Sequence, residues 1–80
     1  MITFEEYRQN KPPLYHELLE VISEAYDNDE RILACASLLV AAIMLADGPA
    51  NRQIMVREAI QHVLDGVLYY EAEFKKKGMP

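Results

Sequence analysis

Residues 32–46 read ILACASLLVAAIMLA, a run of fifteen in which Ser37 is the only polar side chain. Charged residues bracket the run tightly, with Arg31 before it and Asp47 after it. A span of this length is too short to cross a bilayer, which needs about twenty apolar residues. The run therefore predicts a helix of a globular protein that is apolar on nearly every side, and such a helix is buried between other helices.

Two further helices are predicted before this apolar run. Thr3 and Glu6 form a capping-box pair, which begins a short first helix ending near Gln9. Residues 11–13 (KPP) interrupt that helix, since proline suits the first turn of a new helix and not the interior of one. The second helix is amphipathic. Its apolar stripe consists of Leu14, Leu18, Val21, Ile22 and Ala25.

The third and fourth helices are separated by a glycine–proline turn. Cap candidates for the third helix lie at residues 27–29. Gly48 is expected to end it in a left-handed conformation, and Pro49 cannot continue it. The fourth helix ends near Lys77, and no stretch alternates as a strand does. The sequence thus predicts an all-α fold in a single domain, residues 1–80, built as a small bundle of one short and three longer helices.

The fourth helix carries apolar residues spaced 4-3-4-3-4, a coiled-coil-like pattern that we call the seam. The seam consists of Val56, Ile60, Val63, Val67, Tyr70 and Phe74. Packing within the chain's own bundle and an intermolecular zipper both account for this spacing. Gly66 lies mid-helix at a cost of about 1 kcal/mol relative to alanine, and the close approach of another helix explains so small a residue.

The third helix has two apolar faces, and this predicts that the chain binds a second copy of itself. The wide face is expected to meet the second and fourth helices. It consists of Ile32, Leu33, Leu39, Val40, Ile43 and Met44. The opposite face is a narrow ridge with small shoulders, shaped for a helix at close range. Cys35, the only cysteine, is expected to be a buried, inert thiol.

Chains of this size often need a second subunit, because they bury too little surface alone. We therefore expect dimerisation to complete the bundle, with the third helix at the centre of a homodimer and the fourth as a further candidate for that position. The alternative is a monomer in which the third helix is simply the central one. The predicted dimer interface consists of Ala34, Leu38, Ala41, Ala42 and Leu45.

Charge points to protein partners. The net charge is −5, and residues 1–40 carry eight acidic against three basic side chains. This balance disfavours nucleic acid, which needs a basic face, and suits a protein with a basic surface. The sequence predicts a cytoplasmic interaction or regulatory protein of inhibitor or adaptor type, neither an enzyme nor a membrane protein, and without cofactor or metal. The predicted partner-binding residues are Glu17, Glu20, Glu24, Asp27, Asp29, Glu30 and Tyr26.

Two other functions stay open. A metal-dependent enzyme or metal-binding domain would use one of two helical groups, whose spacing suits a divalent ion. These groups are His16 with Glu20, and Glu58, His62 and Asp65 with Tyr69 beside them. We expect the second group to be a solvated polar face, because it lies opposite the seam. A DNA-binding regulator would instead read bases from the start of the fourth helix, where Arg52, Gln53 and Arg57 lie.

Overall fold

The computed structural model describes residues 1–10, 13–24 and 27–79. Four helices follow one another in this part of the chain: α1 (Phe4–Gln9), α2 (Pro13–Ser23), α3 (Asn28–Met44) and α4 (Gly48–Lys76). The described residues contain no strand. The predicted all-α fold is therefore confirmed. Ala25, which the prediction puts in the apolar stripe of the second helix, and the first two residues of the KPP break lie outside the described ranges.

Local side-chain chemistry sets the helix starts. The Thr3 hydroxyl oxygen accepts a hydrogen bond from the backbone N–H of Glu6 at 3.2 Å and donates one to the Glu6 carboxylate at 3.1 Å. The Asp27 carboxylate accepts from the N–H of Asp29 at 3.1 Å and caps α3. Both contacts satisfy N–H groups that have no partner inside their own helix, and both caps were predicted.

The turn between α3 and α4 is held by polar contacts to the backbone. Gly48 has the predicted left-handed conformation, with a φ of +81°, which glycine adopts without strain. It begins α4, however, whereas α3 ends at Met44 with Leu45 as its C-cap, so the prediction that Gly48 ends α3 is wrong. Asn51 donates its side-chain amide to the carbonyl of Asp47 at 2.7 Å. Arg52 donates Nε–H to the carbonyl of Ala46 at 3.2 Å, and this contact is partly buried. The start of α4 is thereby tied to the end of α3.

Helix α4 is the longest of the four helices described. Its 29 residues account for the longest dimension of the protein, 45 Å, because an α-helix rises about 1.5 Å per residue. Both α1 and α3 pack against it. Ala59, where these elements meet, is the only hydrophobic residue that is buried among the described residues. None of the described helices is long and apolar enough to cross a bilayer.

The wide face of α3 is covered only in part. Leu39 and Ile43 line a cavity with Met55 and Ala59 of α4, as expected for a face that meets α4. Leu39 is still 41% exposed, and four further residues of that face are more exposed than this, so the prediction is wrong for them. These residues are Ile32, Leu33, Val40 and Met44. The physical reason is geometric, because α4 alone covers only one edge of a face this broad.

The position of α2 also differs from the prediction. Apolar residues of α2 and α3 line one groove, which runs mainly along the narrow ridge of α3 and includes only Leu39 from its wide face. The groove residues from α2 are Leu18, Val21 and Ile22, and those from α3 include Ala34, Cys35, Leu38 and Ala42. Cys35 is exposed in this groove, so its predicted burial is wrong.

Candidate protein-interaction surfaces

An aromatic cluster fastens α1 to α4. The ring of Phe4 lies 5.3 Å from that of His62 and 5.7 Å from that of Tyr69, measured between ring centres. Tyr7 adds an edge contact to the ring of His62, with the ring centres 5.7 Å apart. Such aromatic pairs contribute about 0.5–1.5 kcal/mol each beyond the area that they bury. A short helix of two turns is thus held in place by rings.

Charged contacts surround the aromatic cluster. The amino group of Met1 lies 3.5 Å from the Glu58 carboxylate, and the guanidinium of Arg8 lies 4.5 Å above the centre of the Tyr69 ring. Arg8 also donates hydrogen bonds to Glu5. These hydrogen bonds lower the pKa of the Glu5 carboxyl below its ordinary value, because they favour the ionised form.

This arrangement corrects the expectation for the polar side of α4. The group made of Glu58, His62, Asp65 and Tyr69 was expected to be solvated, yet all four are half-buried. The first residues of the chain and α1 lie on this side, and Gln61 donates its amide to Asp65 at 2.8 Å. The polar side of α4 is therefore an intramolecular docking face. Phe4 and Tyr7, two aromatic residues three apart, suit α1 for docking, and what sequence reasoning missed is the face of α4 on which they dock.

Because α1 docks on the polar side of α4, the apolar seam is left exposed to solvent. Its six residues are between 37% and 56% exposed, and Leu64 beside it is 52% exposed. Packing of the whole seam inside the bundle, one of the two explanations of its spacing, is wrong for this structure. A row of large apolar side chains along one helix is the kind of patch that soluble monomers avoid, so the seam is the first candidate interaction surface.

The groove between α2 and α3 is the second candidate surface. It encloses about 440 Å³ and contains three of the residues assigned to a dimer interface, which are Ala34, Leu38 and Ala42. Ala41 is also exposed, and Leu45 is 85% exposed beyond the end of the groove. Glu30 and Arg31 also line the groove. The groove is apolar along α2 and α3, with these two charged residues beside it.

The acidic residues form the third candidate surface. Glu17 and Glu20 lie on α2, Glu24 lies just after its end, and Asp27, Asp29 and Glu30 lie at the start of α3; all six are exposed. Within the described ranges, the ion pairs join Met1 to Glu58, Arg8 to Glu5 and Lys76 to Glu73, and none involves these six. Tyr26, the aromatic residue assigned to this surface, lies outside the described residues.

The residues of the two alternative functions are placed as follows. No three potential metal ligands come together among the described residues; His16 is exposed on α2, and His62 packs between rings. At the start of α4, Gln53 and Arg57 are exposed, but Arg52 is engaged by the carbonyl of Ala46. Glu58, His62 and Asp65 do line one cavity of about 170 Å³ together, beside the first residues of the chain.

No protein-family model matches this chain, and neither a curated protein nor a solved structure shows significant similarity to it. The exposed surfaces of the chain are therefore the guide to what it binds.

Proposed function

We propose that this chain is a protein-interaction module that folds and acts as a homodimer, and that its acidic surface binds a protein partner with a basic surface. The proposal assigns no chemistry to the chain. It treats the apolar surfaces as the means of assembly and the acidic residues as the means of recognition.

The observation that carries this proposal is the area that a single chain leaves exposed. The accessible surface is 6752 Å², whereas a compact protein of 9.2 kDa exposes roughly 4,900 Å². The excess is about 1,800 Å² per chain. Two copies that buried this excess would cover roughly 3,600 Å², which lies within the range of obligate homodimers, about 2,000–5,000 Å².

The shape of the chain supports the same conclusion. The radius of gyration is 14.3 Å, against about 12 Å for a compact domain of this length. Only Ala59 among the described hydrophobic residues is buried, so one chain has almost no core. Small domains of this kind gain their missing stability from a disulfide, a metal or a second subunit. A lone cysteine rules out an internal disulfide, and a second copy supplies the apolar area directly.

Charge supports the recognition half of the proposal. A homodimer carries twice −5, a formal net charge of −10. Glu17 and Glu20 on α2, and Glu24 just after its end, are exposed, and they make none of the ion pairs described above. Negative charge at an exposed face steers a basic partner and raises its association rate, and salt weakens that effect.

The test of assembly is the mass in solution by light scattering, across a dilution series of the full chain. A mass of two chains, which falls to one only at high dilution, supports the proposal. A mass of one chain at every concentration overturns it. Leu38→Glu is measured beside the wild type, because it places a charge in the α2–α3 groove.

The test of recognition is affinity capture from a lysate on wild-type chain and on Glu17→Lys/Glu20→Lys/Glu24→Lys, with salt as a second variable. The proposal requires a basic protein that the wild type retains at low salt, that salt elutes, and that the variant fails to retain. Equal capture by both proteins contradicts the assignment of the acidic residues.

A further inference from the structure

We infer that the second copy binds along the seam of α4, and that the two α4 helices run antiparallel about a two-fold axis near Asp65. This inference rests on the proposed homodimer and goes beyond it by naming the interface, its orientation and the residue pairs. It moves the centre of assembly from the ridge of α3, where the sequence places it, to α4.

The first step is the choice between the two apolar surfaces. The ridge residues Ala34 and Leu38 share a groove with α2 of the same chain, so part of their apolar environment is already supplied. Along α4 the described elements contact mainly a neighbouring face of the helix, through His62, Gly66 and Tyr69. They reach the seam only at one edge, where Val63 lines a cavity with Tyr7 and Leu39, and where the ring of Tyr70 meets that of Phe4. No described helix packs over the rest of the seam. Its spacing is the one that keeps two paired helices in contact along their length.

The second step is the register. In coiled-coil terms Ile60, Val67 and Phe74 occupy a positions, and Val56, Val63 and Tyr70 occupy d positions. In an antiparallel pair each a residue shares a layer with a d residue of the other helix. With the axis near Asp65, Val56 faces Phe74 of the partner subunit, Ile60 faces Tyr70 of the partner subunit, and Val63 faces Val67 of the partner subunit.

This register combines each large side chain with a smaller one. An aromatic ring opposite an aliphatic residue fills a layer more evenly than two rings do, because facing positions pack best when sizes alternate. A parallel pair aligns identical positions instead, so Phe74 meets Phe74 of the partner subunit and the two valines at position 56 leave a thin layer. Shape therefore favours the antiparallel pair.

The third step is the charge that flanks the seam. The e positions on its free side are Arg57, Leu64 and Glu71. In an antiparallel pair e positions face e positions, so Arg57 lies beside Glu71 of the partner subunit and the two-fold repeats this contact. Leu64 meets its own copy near the axis. Flanking charges of this kind set partner and orientation in paired helices.

A parallel pair loses this complementarity. There an e residue lies beside the g residue five positions earlier on the other helix, which brings Arg57 toward Arg52 of the partner subunit. Like charges at such positions disfavour the arrangement. Arg57 and Glu71 are fourteen residues apart in one chain, about 21 Å along the helix, so they cannot pair with each other within a chain.

Charge reversal tests the pairing. Arg57→Glu and Glu71→Arg each place like charges together twice in the antiparallel dimer, and the double variant restores both pairs. We expect each single variant to weaken the dimer by roughly tenfold at low salt, and the double variant to recover most of that loss. Both residues are exposed, and circular dichroism checks that helix content is unchanged. The lack of recovery in the double variant, where the single variants weaken the dimer, overturns the pairing.

Cysteine crosslinking tests the orientation independently, in a Cys35→Ser background. Val56→Cys and Phe74→Cys proteins are mixed, equilibrated and oxidised, and their disulfide-linked products are separated by mass. The antiparallel dimer gives the mixed product, because like cysteines lie eighteen residues apart along the pair, about 27 Å. The parallel dimer gives each protein linked to itself. Leu68→Cys is the matched control, since it lies off the seam and should link in neither case.

The outcomes separate this inference from the proposal on which it depends. A wild-type dimer with the mixed product and with recovery in the charge-reversed double variant supports both. A wild-type dimer in which like cysteines link, or in which no seam cysteine links, overturns the antiparallel seam and leaves the homodimer standing. A wild-type monomer at every concentration overturns both.

Discussion

The ring of Phe4 lies against the backbone of α4 at Gly66, the one position on that face where a side chain is missing. A Cβ built on Gly66 would lie 3.0 Å from Cε2 of Phe4, closer than carbon atoms pack without strain. The sequence predicts close approach of another helix at this glycine, and α1 provides it. The glycine thus gives up helix propensity so that α1 can dock.

A double-mutant cycle measures how the contact with Phe4 offsets the helix propensity lost at Gly66. In a Phe4→Ala background, Gly66→Ala should stabilise the protein by about 1 kcal/mol, because alanine is the better helix former. With Phe4 present, the gain should fall by at least half, because the new methyl group displaces the ring. Urea unfolding of the four proteins at one concentration gives the coupling between the two sites. An equal gain in both backgrounds would show that the contact does not constrain position 66.

Removal of Phe4 should detach α1. Its ring contacts His62, Tyr69 and Tyr70, so Phe4→Ala should cost about 2 kcal/mol, less than for a fully buried ring. The amide protons of α1 should lose their protection from hydrogen exchange, while those of α3 keep it. Leu19→Ala, at an exposed site on α2, serves as the control and should change stability little. Unchanged protection in α1 would contradict the anchoring role of Phe4.

Arg52 should stabilise the α3–α4 turn. Its hydrogen bond to the Ala46 carbonyl is partly buried and involves a charged donor, so Arg52→Ala should cost about 1–2 kcal/mol. Gln53→Ala, at the exposed neighbouring position, should have an effect of less than about 0.5 kcal/mol. Denaturant unfolding of both variants measures the difference. Equal effects would show that Arg52 is not specifically needed at the turn.

Local chemistry made the helices predictable. Thr3 with Glu6, Asp27, and Pro49 in the first turn of α4 act within a few residues of their own positions, and such effects follow from the sequence alone. The size of Gly66 also carried long-range information, because a costly residue in a helix implies a neighbour. These features can be predicted without knowing how the helices pack together.

The arrangement of the helices was less predictable, because periodicity shows which residues share a face and not which face another element covers. The polar group around His62 lies opposite a strong apolar seam, so burial rules assign the seam to the core. In the structure the rings of Phe4 and Tyr7 dock on the polar side, where aromatic edges and charges supply the contacts. The candidate surfaces thus follow from which face α1 leaves uncovered.

The pair of Glu5 and Arg8 gives a prediction on pH. The pKa of Glu5 is lowered from its ordinary value of 4.5, chiefly by the hydrogen bonds that Arg8 donates. Because the folded pKa lies below the unfolded one, the contribution of this pair to stability is present above the unfolded value and is lost as the pH falls through the folded pKa. In Arg8→Gln, the pKa of Glu5 should rise toward 4.5. Carboxyl-carbon NMR titration of both proteins follows it, and identical titration curves would contradict the assignment.

Ile60 and Leu68 give a matched test of where the fold is completed, since both are large, apolar and exposed on α4, at 55% and 67%. Only Ile60 belongs to the seam. For a dimer that unfolds to two separate chains, a tenfold dilution lowers stability by about 1.4 kcal/mol. The wild type and Leu68→Asp should therefore show a thermal midpoint that falls on dilution. Ile60→Asp buries a carboxylate in the pair, so it should unfold at a lower temperature that no longer depends on concentration. If Leu68→Asp lost the concentration dependence and Ile60→Asp kept it, the two copies would meet on the face of α4 that carries Leu68 and not on the seam.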